Sequence, residues 1–158
     1  MGSVFGVCGF NTTSILNLGN RTMKIAYLIT PVIAWLVAGS LKFLINSINA
    51  KKLAFNLIGY GGLPSNHSAI VCSTAAIIAL REGIDSPSFC VALALSFIVM
   101  LDANSLRRQI GKQAQVINQL NLDKNSPPLR ERMGHTKIEL MAGMMVGVAS
   151  AYLSHCFF

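Results

Sequence analysis

Apolar residues fall into four long blocks, over residues 25–48, 65–81, 87–101 and 135–158, with shorter polar stretches between them. A helix rises about 1.5 Å per residue, so about 20 apolar residues cross a hydrocarbon core about 30 Å thick. The pattern predicts four membrane spans. Residues 1–22 are polar, small and mixed, and are expected to form an N-terminal arm. That leaves 23–158 as a single transmembrane domain. Pro31 is expected to kink the first span, and Lys51-Lys52 to end it. Residues 53–62 are semi-apolar and too short to cross, which makes them a candidate re-entrant piece. Gly83 and Pro87 mark a turn between spans two and three. The third helical pattern continues past the membrane, from Asp102 to Gln113. A loop with Asn125-Ser126-Pro127-Pro128 then leads to the fourth span. The fold class expected is all-α: an integral membrane helical bundle of about four transmembrane helices.

Composition sharpens this picture. The 158 residues are 53% hydrophobic and only 12% charged. Soluble domains carry about 25% charged residues, so a large soluble core is excluded. The net charge of +7 would ordinarily suggest nucleic acid. So little solvent-facing surface argues against that partner, and favours anionic lipid and phosphate groups. Cys8, Cys72, Cys90 and Cys156 have no C-x-x-C spacing. Cys72, Cys90 and Cys156 lie within apolar runs and suit small core positions rather than a disulfide or zinc framework. The first twenty-odd residues lack a basic start followed by an apolar run, so no signal peptide is expected.

Four crossings impose a parity. The end of span one, the start of two, the end of three and the start of four face one side. Lys42, Lys52, His67, Arg107, Arg108 and His135 lie at those places. The cation excess there assigns that side to the cytoplasm. His155, near the far end of span four, is expected on the opposite side, as an interfacial group. Gly143 and Gly147 form a small-xxx-small pattern that favours close helix packing, within the monomer or in a homo-oligomer.

The stretch Gly61-Gly62-Leu63-Pro64-Ser65-Asn66-His67-Ser68 opens span two. A helix start carries unpaired N–H groups and a partial positive charge, which suits an anion. It is also an ordinary helix start, with Ser65 or Asn66 as cap. Two histidines with cations can divide phosphoryl transfer. One attacks phosphorus and becomes phosphohistidine, and the other protonates the leaving oxygen, with no metal or cofactor required. Arg neutralises phosphate oxygens with a planar fork. His135 and Glu139 stand four apart on one helix face, so the carboxylate can orient the ring. Thr136-Lys137-Ile138-Glu139 is equally a capping-box pattern. Arg107, Arg108 and Lys112 also suit a basic collar for head groups. Asp102 is expected to pair with one of these cations. Lys42 fits either a functional charge or one snorkelling to the interface.

These residues resemble a known family. Pro64-Ser65-Asn66-His67 is similar to the Pro-Ser-Gly-His signature of type 2 phosphatidic acid phosphatases and vanadium haloperoxidases. Residues 61–69, Arg81 to Ser86, Asp102 to Gln113, and Gly134-His135-Thr136 to Gly143 resemble more closely the small, divergent bacterial and plastid branch of that superfamily. The likeness covers most of residues 25–155. It implies a phosphatidic acid phosphatase-like bundle with His67 as general acid, His135 as nucleophile and Arg107 or Arg108 as a phosphate ligand. Three departures stand out. The usual Lys…Arg-Pro block is missing, and Lys42 or Lys52 would have to replace its lysine. Leu129 stands where an Arg is usual, six residues before His135. The carboxylate is Glu139 rather than Asp.

The expectation is a metal-independent membrane lipid phosphatase with catalytic residues His135, His67 and Glu139. Its phosphate contacts would be Arg107, Arg108, Ser65, Asn66, Lys42 and Lys52. The substrate would be phosphatidate-like, phosphatidylglycerophosphate-like or a polyprenyl diphosphate, in a bacterial inner membrane or a plastid membrane. The alternative is a non-catalytic protein that binds or moves phosphorylated lipid.

Overall fold

The computed structural model describes residues 12–50, 62–120 and 127–158, with side chains from residue 25 onward. Lys52 and Gly61 lie outside the described residues, as do most of the candidate re-entrant piece and residues 121–126. Among the described residues there are helices and no strands. They are α1 (Thr12–Ala50), α2 (Asn66–Glu82), α3 (Pro87–Leu101), α4 (Arg107–Leu120) and α5 (Lys137–Phe157). A π-helical turn, Asp102–Leu106, joins α3 to α4.

Helix α1 starts at Thr12, inside the stretch expected as an arm, and continues through Pro31. Among the described residues, three segments are long and apolar enough to cross a membrane: Ile25–Ala50, Pro87–Leu120 and Lys137–Phe157. Helix α2 has 17 residues, about 25 Å of length. It forms the middle of the bundle, packed against α5, α1 and α3.

The distribution of side chains is that of a protein whose solvent is lipid. Leu28, Val91 and Met145 are at least 70% exposed, on α1, α3 and α5 respectively. The interior is made mostly of small and hydroxyl residues, with Ile77 the largest side chain fully buried. Ala26, Thr30, Ala34 and Ala38 form a four-residue stripe along α1, all fully buried. Ser68, Ala69 and Ser73 on α2 are likewise fully buried. Helices in lipid gain little from hiding apolar groups, so small residues and close backbones drive their association. Several buried hydroxyls are satisfied locally, though Ser68 and Ser154 Oγ have no partner among the described residues: Thr30 Oγ1 donates to the Ala26 carbonyl at 2.7 Å. Ser96 Oγ lies 2.8 Å from the Ala92 carbonyl and 3.1 Å from the Val71 carbonyl, joining α3 to α2.

The tightest seam joins α2 and α5. A Cβ on Gly143 would strike the Ser65 carbonyl oxygen and come within 2.9 Å of Ser68 Cβ. One turn on, a Cβ on Gly147 would meet Ala69 O at 2.5 Å and Ser73 N at 3.0 Å. The small-residue face expected to serve a monomer or an oligomer is thus filled by α2 of the same chain. At the mouth, Asn118 clamps the segment leading to α5. Its amide donates to Leu129 O at 2.9 Å and Glu131 Oε1 at 2.8 Å, and its carbonyl accepts from Leu129 N at 2.9 Å.

Candidate active site

Four chain ends meet at one end of the bundle: the C-terminal part of α1, the start of α2, the π turn after α3 and the start of α5. Backbone hydrogen bonds pin three of them. Ser65 caps α2, its Oγ accepting from Ser68 N at 3.4 Å. The Ser65 N–H donates to the Glu139 carbonyl at 2.9 Å, tying α2 to α5. The His135 N–H donates to the Ala103 carbonyl at 2.9 Å, tying the entry of α5 to the π turn. Gly134 is in the left-handed region at φ 86°, and a Cβ there would come within 2.6 Å of Arg108 Cγ. His67 is thereby held on one side and His135 on the other.

The two imidazole centroids lie 5.8 Å apart, with ring planes inclined by 58°. His135 is buried, and its Nδ1 lies 3.1 Å from Glu139 Oε2. A carboxylate accepts, so Nδ1 carries the proton and Nε2 keeps a free lone pair. The same Oε2 accepts from the Thr136 N–H at 3.0 Å, and Thr136 Oγ1 accepts from the Glu139 N–H at 3.3 Å. The capping box and the histidine-orienting carboxylate are therefore one residue doing both jobs.

Arg107 lies close enough to both rings for its charge to bear on them, and so does Lys42 of α1. Lys42 bears on Glu139 as well. Arg107 Nε donates to Asp102 Oδ2 at 2.8 Å, and the Arg107 N–H donates to the Asp102 carbonyl. The expected pairing of Asp102 thus falls on Arg107. Arg108 is exposed, with its stem lying on Gly134, and only Arg107 of the pair acts electrostatically on the histidines. Ser65 is fully buried as a cap. Asn66 turns toward α1: its Nδ2 is the atom nearest to Gly39, and its Oδ1 is enclosed without a hydrogen-bond partner. His155 is exposed at the other end of α5.

Burial pushes the His135 imidazole below its ordinary pKa of 6.5, while the hydrogen bond and charge of Glu139 oppose that shift. The neutral ring, the form with a nucleophilic nitrogen, is thus favoured at neutral pH. In micelles, imidazole NMR should show His135 titrating below 6.5. Glu139→Gln removes the opposing hydrogen bond and charge, so the midpoint should move lower still. An upward move would show that burial is not the controlling cause.

Two features had no counterpart in the sequence reading: the π turn and the Ala103 carbonyl that anchors His135. The signal was the Asp102–Arg107 spacing. Residues five apart point about 140° apart on an α-helix, but nearly align on the wider π turn.

Comparisons with known proteins agree with this arrangement. The model of the Divergent PAP2 family matches residues 23–150, which include every described candidate residue. The chain is 33% identical over 149 residues to the uncharacterized membrane protein YuiD of Bacillus subtilis (strain 168), covering 83% of this chain and 94% of that protein. No solved structure matches. An all-helical membrane bundle with His67 and His135 drawn together at one end, matched by the family model over most of its length, places this chain in the Divergent PAP2 family.

Proposed function

We propose that the protein is a membrane lipid phosphatase that works through a phosphohistidine on His135. The observation that carries this reading is the pair of imidazoles 5.8 Å apart, one of them oriented by Glu139 at 3.1 Å. The Nε2 lone pair of His135 attacks phosphorus, and the bond from phosphorus to the lipid oxygen breaks. His67, protonated, gives its proton to the departing alkoxide. Glu139 stabilises the cationic ring that forms. Water then attacks the phosphohistidine and yields its proton to the now neutral His67. The P–N bond breaks, and inorganic phosphate leaves. Arg107 and Lys42 offset the phosphoryl charge throughout.

A lipid phosphate suits a site set at the end of membrane-spanning helices. The cation excess on this side favours a cytoplasmic-facing site and substrates of the phosphatidate or phosphatidylglycerophosphate type, in a bacterial inner membrane or a plastid membrane. Phosphate release from these lipids and from polyprenyl diphosphate, with purified protein and His67→Ala and His135→Ala controls, tests the reading. Turnover of at least one lipid, lost in both variants, is expected. Normal turnover by His135→Ala on every accepted lipid would overturn the mechanism.

One observation favours a second reading, binding without turnover: Asp102 already holds Nε of Arg107. Tight lipid-phosphate binding with no release across the panel would select that reading.

A further inference from the structure

The geometry points to a groove on α1 as the seat of one acyl chain of the substrate, an inference that rests on the lipid phosphatase reading. The groove encloses about 600 Å³, and its walls include Trp35, Leu36, Gly39, Phe43 and Asn66. Ligand pockets commonly enclose about 300–1,000 Å³.

Its shape follows from helical spacing. Trp35, Gly39 and Phe43 stand four apart, so one face of α1 presents a ring, a gap and a ring. Gly39 is the gap. A Cβ there would have one neighbour, Asn66 Nδ2, at an ordinary 3.9 Å. The floor of the groove is therefore open rather than filled with packed side chains.

Its direction follows from what borders each end. Phe43 adjoins Lys42, whose charge bears on His67 and His135, and Asn66 adjoins His67. Trp35 lies eight residues back along α1, about 12 Å further into the span. The groove thus borders the residues next in sequence to Lys42 and His67 and runs along α1 toward hydrocarbon depth. That is the course of a lipid tail whose phosphate sits between the histidines. Asn66, next to His67 in sequence, faces Gly39 across the groove, with its Oδ1 enclosed and unpartnered. Its Nδ2, which faces Gly39, can donate to an ester carbonyl. Asn66 accordingly contacts the linker between phosphate and tail, rather than the phosphate itself.

Bilayer tails are as apolar as the groove, so entry adds little affinity. The groove instead fixes phosphorus against His135. Blocking it should lower kcat more than it raises KM.

A Cβ at Gly39 meets no backbone outside its own helix, so Gly39→Leu can extend into the gap, and it removes a glycine from a helix interior, which favours folding. In mixed micelles, kcat on long-chain phosphatidate should fall about tenfold. A water-soluble short-chain phosphatidate should be hydrolysed as before. A lipid phosphate with a photoreactive tail should label residues 35–44 in the wild type but not in Gly39→Leu. A phosphate-free lipid with the same tail should not label them. An unchanged long-to-short ratio overturns the groove. So does labelling elsewhere, equal labelling by the phosphate-free lipid, or crosslinking of α1 to a second copy of the chain. If the wild type hydrolyses neither substrate, the phosphatase reading fails separately, and the labelling pattern alone decides whether a lipid phosphate tail occupies the groove.

Discussion

Gly143→Leu is expected to lower the melting temperature in detergent by about 10 °C, corresponding to about 3 kcal/mol of overpacking. The reason is local and severe. The new side chain would enter the space of the Ser65 carbonyl, which is backbone and cannot rotate away. Ser65 also caps α2, and its N–H is bound to the Glu139 carbonyl. Separating α5 from α2 therefore strains the cap beside His67 and the backbone of the residue that orients His135. Stability and phosphate release should fall together, without a change in oligomer size, because α2 of the same chain fills this face. Gly147→Leu should behave alike, striking Ala69 O and Ser73 N one turn further along. An unchanged melting temperature, or a loss of oligomer with stability intact, would show that the glycine face serves contacts between chains.

Much of this architecture could be read from the sequence, for identifiable reasons. Counting apolar blocks gives crossing parity, and parity alone places Lys42, His67, Arg107 and His135 at one end. The His135–Glu139 contact follows from a spacing of four. The orientation of helix faces was much harder to read. Here large apolar residues are mostly exposed to lipid, whereas Ala, Ser and Thr make up most of the buried ones. The usual apolar-inward pattern therefore points the wrong way. Gly143 and Gly147 revealed that a close approach exists, but not which helix makes it. The cap and catalytic readings of Glu139 had looked like alternatives, yet one carboxylate oxygen reaches both Thr136 N and His135 Nδ1. Arg107 and Arg108 are adjacent in sequence and point about 100° apart on a helix, and it is Arg107 whose charge bears on the histidines. A change of helical pitch over five residues leaves no hydrophobic period to detect.

The sharpest expected contrast is between the two histidines when the leaving group is varied. On the proposed mechanism, His135→Ala removes the atom that attacks phosphorus. Its turnover should fall by at least about 10⁴-fold on any phosphate ester. His67→Ala removes only a proton donor and acceptor, a loss of about 10²–10⁴-fold on a lipid ester whose alkoxide needs that proton. An activated aryl phosphate departs without a proton, so its first step should survive in His67→Ala. The second step should not, because water then lacks the base that His67 becomes. His67→Ala should therefore release a burst of aryl alcohol equal to the amount of protein, and then slow. Quenching should trap phosphate on His135, stable to alkali and labile to acid. The double variant His67→Ala with His135→Ala should show no burst and no trapped phosphate. A burst that persists without His135 would place the nucleophile elsewhere. Equal loss on lipid and aryl esters, with no burst from His67→Ala, would remove the acid–base role from His67 and leave it a binding residue.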